Sequence, residues 1–326
     1  MISPSRWQER LKQAYRNPKD LLASLDIPVH EYQDQIDTNN PFTLLVTQEF
    51  QSRMRKKDLQ DPLLLQALPQ LIEKDTANGA LDPIQEQSLT RHGLIHKYHG
   101  RALWVLSGGC AINCRYCFRR HFPYHQHIST AQSWKAPLDY IKNDLSLREI
   151  ILSGGDPLLL DDGKLHLLFE KLASIKHIET VRIHSRLPVV LPSRITPALL
   201  NLFKQTRLHV VFVIHCNHAQ EIDEDVMHST TQLHYVCHAV LNQSVLLKGI
   251  NDCADILIEL SHKLLASRVM PYYLHTLDPV QGAMHFATDH LTQKNIMEVL
   301  RRELPGYLVP KCVSDIPGAP YKQTMA

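Results

Sequence analysis

The chain has 326 residues, of which 44% are hydrophobic, which is enough for a sizeable core and excludes a disordered polypeptide. Its 35 basic and 33 acidic residues give a formal net charge of +2, and no apolar run reaches the roughly 20 residues that cross a bilayer. We therefore expect neither a nucleic-acid nor a membrane partner. The odd number of Cys residues, seven, and an N-terminus without a signal-peptide pattern predict a reduced, cytoplasmic protein.

Residues 1–92 are predicted to form a helical region without a catalytic motif. Apolar residues recur on one helix face over residues 7–15, and Asn17-Pro18 ends that helix. A second helix is predicted over residues 47–57, and a third begins at Asp61, which precedes a Pro. We expect this region to pack against the rest of the chain or to contact another subunit.

From about residue 93, short apolar strands alternate with longer helical segments, which is typical of a parallel βα sheet or barrel. Six such units are too few for a complete eight-fold barrel. We therefore predict an α/β fold with a partial (β/α)6 barrel over residues 93–290. A C-terminal helix and segment over residues 291–326 is expected to close the barrel mouth. The predicted strands cover residues 102–106, 149–152, 181–184, 210–214, 244–247 and 269–274, and the helices cover 163–175, 196–206, 219–230 and 254–266.

Polar residues and glycines follow each predicted strand at its C-terminal end, which is the edge where parallel βα folds hold their active sites. We therefore expect the functional site at this edge. The segments are Ser107-Gly-Gly-Cys110, Ser153-Gly-Gly-Asp156, Ser185-Arg-Leu-Pro188, His215-Cys-Asn-His218, Lys248-Gly-Ile-Asn-Asp252 and His275-Thr-Leu-Asp278.

Three Cys residues, Cys110, Cys114 and Cys117, have the spacing CxxxCxxC directly after the first predicted strand. Iron–sulfur clusters usually take four Cys ligands, so three thiolates leave one iron of a [4Fe–4S] cluster open to a small molecule. S-adenosylmethionine can chelate that iron, and one electron from the cluster then releases a 5′-deoxyadenosyl radical. The alternative is a Cys3His zinc site that includes His121, although zinc ligands usually come as two separated pairs.

The segment Ser153-Gly154-Gly155-Asp156 follows the second predicted strand. Alone it is typical of a turn, but its glycines permit the backbone to approach a ligand closely. Because the preceding predicted strand is followed by CxxxCxxC, we interpret this segment as the wall that holds the methionine end of S-adenosylmethionine, with Asp156 near the ammonium group.

Lys322 lies near the C-terminus, where a Lys is normally a solvated charge. The surrounding Pro and Gly residues predict an ordered, non-helical path. Over the barrel mouth, this Lys would be able to form a Schiff base with pyridoxal phosphate.

Together these motifs resemble the lysine 2,3-aminomutase family of radical S-adenosylmethionine enzymes, over about residues 90–326. The resemblance implies a radical S-adenosylmethionine barrel with a [4Fe–4S] cluster, S-adenosylmethionine and pyridoxal 5′-phosphate as cofactors. It also implies an isomerase that moves the amino group of L-lysine from C2 to C3 and gives β-lysine. The matching stretches are residues 96–101, 109–121, 151–158, 186–196, 242–252 and 271–275.

The resemblance implies three residues for the coenzyme. Lys322 matches the Lys that binds pyridoxal phosphate when substrate is absent. Arg101 and Lys97 match basic residues near the coenzyme phosphate, although the best-known family members carry Arg at the position of Lys97.

The resemblance also implies three residues for the substrate. Arg119 matches the Arg that binds the substrate carboxylate, for which a planar two-pronged donor is suited. Asp278 and Asp315 match two carboxylates that receive the side-chain ammonium, since a buried cation needs such partners. Without the resemblance, Arg119 would be interpreted as part of a solvated basic pair with Arg120, and each Asp as part of a surface turn.

The short C-terminal tail is similar to that of the bacterial subfamily that supplies β-lysine for the modification of elongation factor P. Long clostridial members carry a Cys-rich extension that binds zinc together with a Cys matching Cys253, so here we expect an ordinary thiol and no zinc. The implied partners are L-lysine, the elongation factor P pathway indirectly, and an electron donor such as flavodoxin or ferredoxin. A homo-oligomer is also compatible with the sequence.

Three other functions remain open from the sequence. One is a radical S-adenosylmethionine enzyme that acts on another amino acid or on RNA without pyridoxal phosphate. Another is a zinc-stabilised binding module without catalysis. The third, a glutamate 2,3-aminomutase, is disfavoured because Asp278 and Asp315 would repel a side-chain carboxylate.

Overall fold

A computed structural model describes residues 6–32, 34–127 and 133–325 of the chain. Within these ranges, ten strands form one open sheet in chain order. The strands are β1 (Thr90–Arg91), β2 (Leu94–Tyr98), β3 (Arg101–Ser107), β4 (Glu149–Gly154), β5 (Thr180–Ser185), β6 (His209–His215), β7 (Ala239–Val245), β8 (Met270–His275), β9 (Lys311–Ser314) and β10 (Gln323–Thr324). Strands β3 to β9 are parallel to one another. Antiparallel pairs extend the two edges: β1 with β2 and β2 with β3 at one edge, and β9 with β10 at the other.

The helices are α1 (Arg6–Lys12), α2 (Pro18–Ser24), α3 (Gln48–Gln51), α4 (Tyr124–His127), α5 (Lys135–Asn143), α6 (Asp162–Ala173), α7 (Leu187–Val190), α8 (Pro197–Gln205), α9 (Glu224–Val236), α10 (Ala254–Ala266) and α11 (His290–Glu303). The first turns of α6, α8, α9 and α11 are each capped by a side-chain oxygen, from Asp161, Thr196, Asp223 and Asp289. In the part of the chain described here, none of the helices combines the length and apolar character needed to span a membrane.

Side chains on the parallel strands alternate between the hydrophobic core and an inner cavity. On β5, Val181 and Ile183 are buried in the main core, whereas Arg182 and His184 line the cavity. The same alternation on β6 buries Phe212 and turns His215 inward. The inner face of the sheet is therefore polar enough to bind charged ligands.

The predicted α/β fold with a partial barrel is confirmed. The six predicted strands correspond to β3 to β8, and the barrel is not closed. The C-terminal segment adds β9 in parallel to β8 and then β10 in an antiparallel pair with β9. This segment thus continues the sheet and brings Lys322, which directly precedes β10, to the cavity.

The predicted bounds of the fifth strand, residues 244–247, are wrong, because β7 ends at Val245. The strand does not show an apolar run in the sequence, because it contains the consecutive polar residues Asn242, Gln243 and Ser244. The Asn242 side chain donates to Cys216 O at 3.0 Å and accepts from Cys216 N at 2.9 Å. The backbone of Cys216, directly after the neighbouring strand β6, therefore satisfies the hydrogen-bonding groups of the buried Asn242 amide.

The helix predicted over residues 219–230 is also displaced along the chain. A 3-10 turn occupies Ala219–Glu221, and α9 begins only at Glu224. Asp223 sets this start because its side chain accepts a hydrogen bond from Val226 N at 2.9 Å.

The N-terminal region contains less helix than predicted. The first helix ends before Tyr15, which pairs with Val46 in a β-bridge, and the second is reduced to α3. Residues 62–67 form consecutive turns and no α-helix. The buried Asp61 carboxylate there accepts from the N–H groups of Leu63 and Leu64, both at 2.9 Å. Such local side-chain bonds compete with a regular helix.

Candidate active site

A cavity of about 740 Å³ lies against the inner face of the sheet. Every residue predicted for the site lines it, although these residues come from distant parts of the chain. They are Lys97, Arg101, Cys110, Cys114, Cys117, Arg119, Ser153, Gly154, Gly155, Asp156, Asp278, Asp315 and Lys322.

The three predicted cluster ligands, Cys110, Cys114 and Cys117, lie on the loop after β3 and line one wall of the cavity. Burial raises the pKa of the Cys110 thiol well above its usual range and that of Cys117 to about 11. A bound metal would remove the protons of these thiols. Three Cys side chains on one loop and in one cavity are donors of the kind that holds an iron–sulfur cluster. Cys114 Sγ already accepts a hydrogen bond, from Arg186 Nη1 at 2.7 Å.

His121, the fourth ligand in the zinc alternative, is directed elsewhere. Its Nε2 lies 3.3 Å from the backbone oxygen of Gln281. Among the described residues, no three His, Cys, Asp or Glu side chains are grouped around a single metal position. The three thiols of a cubane cluster each bind a different iron, so they need not converge on one ion.

The two glycines of the Ser153–Asp156 segment are required by contact with the Cys loop. Gly154 has φ +118°, and a Cβ there would lie 2.6 Å from Ser107 O, while a Cβ on Gly155 would collide with Gly109 O. The two segments are joined by the Gly155 N–Ser107 O bond at 2.6 Å. The glycines therefore place this segment directly against the predicted cluster ligands.

Asp156 joins the same segment to the end of β5. Its carboxylate accepts from Ser185 Oγ at 2.8 Å, from Arg186 N at 2.9 Å and from Leu158 N at 3.0 Å. Burial raises the pKa of Asp156 to about 6, against the opposing effect of these donors. The protein's own donors thus engage the carboxylate that the sequence assigns to a ligand ammonium.

Asp315 is the centre of a charged group at the other end of the cavity. Lys322 Nζ donates to its Oδ2 at 2.5 Å, and Lys97 forms a second ion pair with its Oδ1. Tyr98 donates its hydroxyl to the same Oδ1 at 2.9 Å. Burial alone would raise the pKa of Asp315, but the two lysines lower it to about 2. Three of the predicted coenzyme and substrate residues are therefore in direct contact.

Asp278, the second predicted carboxylate, has the opposite electrostatic environment. Burial raises its pKa to about 7, and the positive charge of Lys322 only partly opposes this rise. A cation that enters the cavity beside Asp278 would favour its ionised form.

Arg119 is buried and is paired with Glu86, a residue that the sequence analysis did not identify. Its Nε and Nη2 donate to the two carboxylate oxygens of Glu86 at 2.7 and 2.9 Å. Its Nη1 faces Ser153 Oγ at 3.3 Å and Gly154 O at 3.4 Å. One edge of the guanidinium is thus held by an acidic partner, while Nη1 points to the Ser153–Asp156 segment.

Other cavity residues were missed because they lie within strands, before the strand ends. Arg182, His184 and Gln243 all face inward. The position of Arg182 between the apolar residues Val181 and Ile183 was an available signal, whereas the polar neighbours of Gln243 gave none. Burial lowers the pKa of His184 well below its usual range and that of His215 to about 3, so both rings are neutral near pH 7. The ring centroids of these two His lie 5.8 Å apart.

Comparison with known proteins gives one family match and several close relatives. The family model described as the Radical SAM superfamily matches residues 104–219. The L-lysine 2,3-aminomutases of Haemophilus influenzae and Escherichia coli are each 44% identical to this chain, and each alignment covers 98% of this chain and 95% of the relative. The L-lysine 2,3-aminomutase of Clostridium subterminale is 35% identical, over 96% of this chain and 76% of the relative.

Proposed function

Because the chain belongs to the lysine 2,3-aminomutase family of radical S-adenosylmethionine enzymes, we propose that it isomerises L-lysine to β-lysine with pyridoxal phosphate. The observation that carries this proposal is the contact of Lys322 Nζ with Asp315, in one cavity with the three Cys thiols. A lysyl ammonium group of the chain itself thus lies on a carboxylate that the substrate ammonium would use.

The radical S-adenosylmethionine family carries a [4Fe–4S] cluster and S-adenosylmethionine, and the proposed cluster ligands are Cys110, Cys114 and Cys117. The Ser153–Asp156 segment abuts their loop, which supports its proposed contact with S-adenosylmethionine. When bound, these groups supply the radical that removes hydrogen from the substrate, and pyridoxal phosphate carries the migrating amino group.

The proposed coenzyme residues are Lys322, Arg101 and Lys97. Lys322 is held at the cavity wall by Asp315, with its side chain 26% exposed, so its amine is accessible to an aldehyde. Arg101 lies over the ring of Tyr98 at 4.9 Å and lines the same cavity. Arg101 and Lys97 are proposed for the coenzyme phosphate, because two cationic side chains suit a phosphate dianion.

The proposed substrate residues are Asp278, Asp315 and Arg119. Asp278 and Asp315 receive the side-chain ammonium of the substrate. This ammonium either displaces Lys322 from Asp315 or shares that carboxylate with Lys322. The substrate carboxylate binds Arg119 at Nη1, where only neutral acceptors, Ser153 Oγ and Gly154 O, lie at hydrogen-bonding distance. Two acids at one end and a guanidinium at the other match lysine and disfavour glutamate.

The proposed destination of the product is the modification of elongation factor P, as in the short bacterial members that the sequence resembles. The alignments cover 95% of the Haemophilus and Escherichia relatives and 76% of the clostridial one, which supports the likeness of this chain to shorter family members. A cytoplasmic location and an electron donor such as flavodoxin or ferredoxin belong to the same proposal.

The test is an anaerobic assay of reconstituted protein with L-lysine, S-adenosylmethionine, pyridoxal phosphate and dithionite, followed by mass spectrometry of the amino acids. We expect β-lysine only when all three cofactors are present. Production of 5′-deoxyadenosine without β-lysine would exclude lysine as the substrate while keeping the radical chemistry.

A further inference from the structure

The N-terminal region, in which the sequence shows no catalytic motif, binds the backbone of the Cys loop. Asn113 N donates to Leu45 O at 3.1 Å, and Asn113 Nδ2 donates to Thr43 O at 2.7 Å. Arg115 N donates to Gln66 O at 2.9 Å. These bonds lie on both sides of Cys114, so this ligand position is fixed by residues that precede the barrel.

Arg186 connects the same region to the sulfur of Cys114. Its Nη1 donates to Cys114 Sγ at 2.7 Å and to the hydroxyl of Tyr116 at 2.6 Å. Its Nη2 donates to Gln66 Oε1 at 2.7 Å and to Glu221 Oε2 at 3.0 Å. The residue is only 5% exposed, so these bonds form in a medium of low dielectric constant.

The partners of Arg186 are themselves held in place. Gln66 Nε2 donates to Glu221 Oε1 at 3.1 Å and to Pro62 O at 3.0 Å. The ring centroid of Phe50 in α3 lies 5.4 Å from the Arg186 guanidinium carbon. The guanidinium therefore has little freedom to move away from the thiol.

We infer that Arg186 is a positioning residue that raises the reduction potential of the cluster through its hydrogen bond to Cys114 Sγ, and that Gln66 and Phe50 of the N-terminal region hold it there. This inference rests on the proposed cluster ligation by Cys110, Cys114 and Cys117. Reduction adds one electron, from an external one-electron donor, to the cluster and adds negative charge to its sulfurs. The N–H donor of Arg186 stabilises that state, because hydrogen bonds to the sulfurs help to set cluster potentials. The ion pair with Glu221 offsets the guanidinium charge, so the hydrogen bond to Cys114 Sγ carries the effect.

The test is a redox titration, followed by electron paramagnetic resonance, of the reconstituted full-length protein without S-adenosylmethionine. In Arg186→Gln we expect the equilibrium constant for reduction to fall about tenfold, which is about 59 mV for a one-electron couple. Gln66→Leu, which removes one anchor and leaves the sulfur contact possible, is expected to lower the potential by a smaller amount. Arg194→Gln is the matched control, since this buried Arg contacts Leu158 O, Leu160 O and Asp162 and is expected to leave the potential unchanged.

The direction in which the reduction potential shifts distinguishes the loss of this hydrogen bond from a loss of packing. If Arg186→Gln merely admitted water to the cluster, the solvent would stabilise the reduced state and the potential would rise. An unchanged or higher potential in Arg186→Gln overturns the inference and leaves the proposed function intact. If that variant does not fold, a lower potential in Gln66→Leu supports the inference and an unchanged one overturns it. Wild-type protein that binds no iron or sulfide would instead overturn the proposed cluster ligation, and the inference with it.

Discussion

The two ends of the cavity hold their charges in different ways. At the Lys322 end, one carboxylate, Asp315, is shared by two lysines, and the side chain of Lys322 remains 26% exposed. At the Cys end, the guanidinium of Arg186 is enclosed with Glu221, and their side chains are 6% and 0% exposed. The first arrangement lets an incoming charged ligand exchange partners, whereas the second fixes a donor on one sulfur. We therefore expect ligand exchange at the Lys322 end.

The largest expected effect comes from removing a charge at the Lys322 end. Asp278→Asn should lower kcat/KM for L-lysine about a hundredfold, or roughly 2.7 kcal/mol, because a desolvated ammonium loses a carboxylate partner. The measurement is steady-state β-lysine formation at varied lysine concentration. Asp289→Asn is the control, since this exposed N-cap residue of α11 does not line the cavity. An Asp278→Asn variant with the wild-type kcat/KM would show that Asp278 does not bind the substrate ammonium.

A pH profile sharpens the same comparison, because the two carboxylates at the Lys322 end titrate in different ranges. Asp278 has its pKa raised to about 7, so it becomes ionised and able to bind an ammonium as the pH rises through 7. Asp315, with a pKa of about 2, stays ionised throughout. We expect kcat/KM for lysine to rise about tenfold between pH 6 and 8. This rise should disappear in Asp278→Asn, and a rise of equal size in that variant would assign the titration to another group.

A smaller effect is expected at Glu86, which lines the same cavity and is paired with Arg119. Glu86→Gln keeps the size of the side chain but removes the ion pair that orients Arg119. The guanidinium should then be less well oriented to bind the substrate carboxylate. We expect KM for lysine to rise several-fold, up to about tenfold, with a smaller change in kcat. If kcat falls and KM is unchanged, Glu86 acts on a later step than carboxylate binding.

The sequence predicted those parts of the site that depend on local spacing or on strand ends. CxxxCxxC, the Ser153–Asp156 segment and the position of Asp278 after β8 are patterns of this kind, and the matching strands follow from apolar runs. The Pro and Gly residues around Lys322 suggested a Schiff-base Lys, and family resemblance was needed to support that role, because a lone Lys near a C-terminus is normally a solvated charge.

Contacts across long sequence separations were not predictable. Glu86 and Arg119 are 33 positions apart, and Arg186 and Cys114 are 72 positions apart. Each residue alone is a common charged or polar side chain, and only the tertiary fold buries the pair and makes it specific. Strand β7 was misplaced for a related reason, since the bonds that satisfy Asn242 come from Cys216 after the neighbouring strand.

The most direct test of the account is to trap the coenzyme with borohydride and locate it by peptide mass spectrometry. In protein incubated with pyridoxal phosphate alone, we predict a pyridoxyl group on Lys322. After L-lysine is added before reduction, the label should leave Lys322 and appear on free lysine. A label on any other residue, or one that stays on Lys322 when lysine is in excess, would contradict the assignment of this cavity end to coenzyme and substrate exchange.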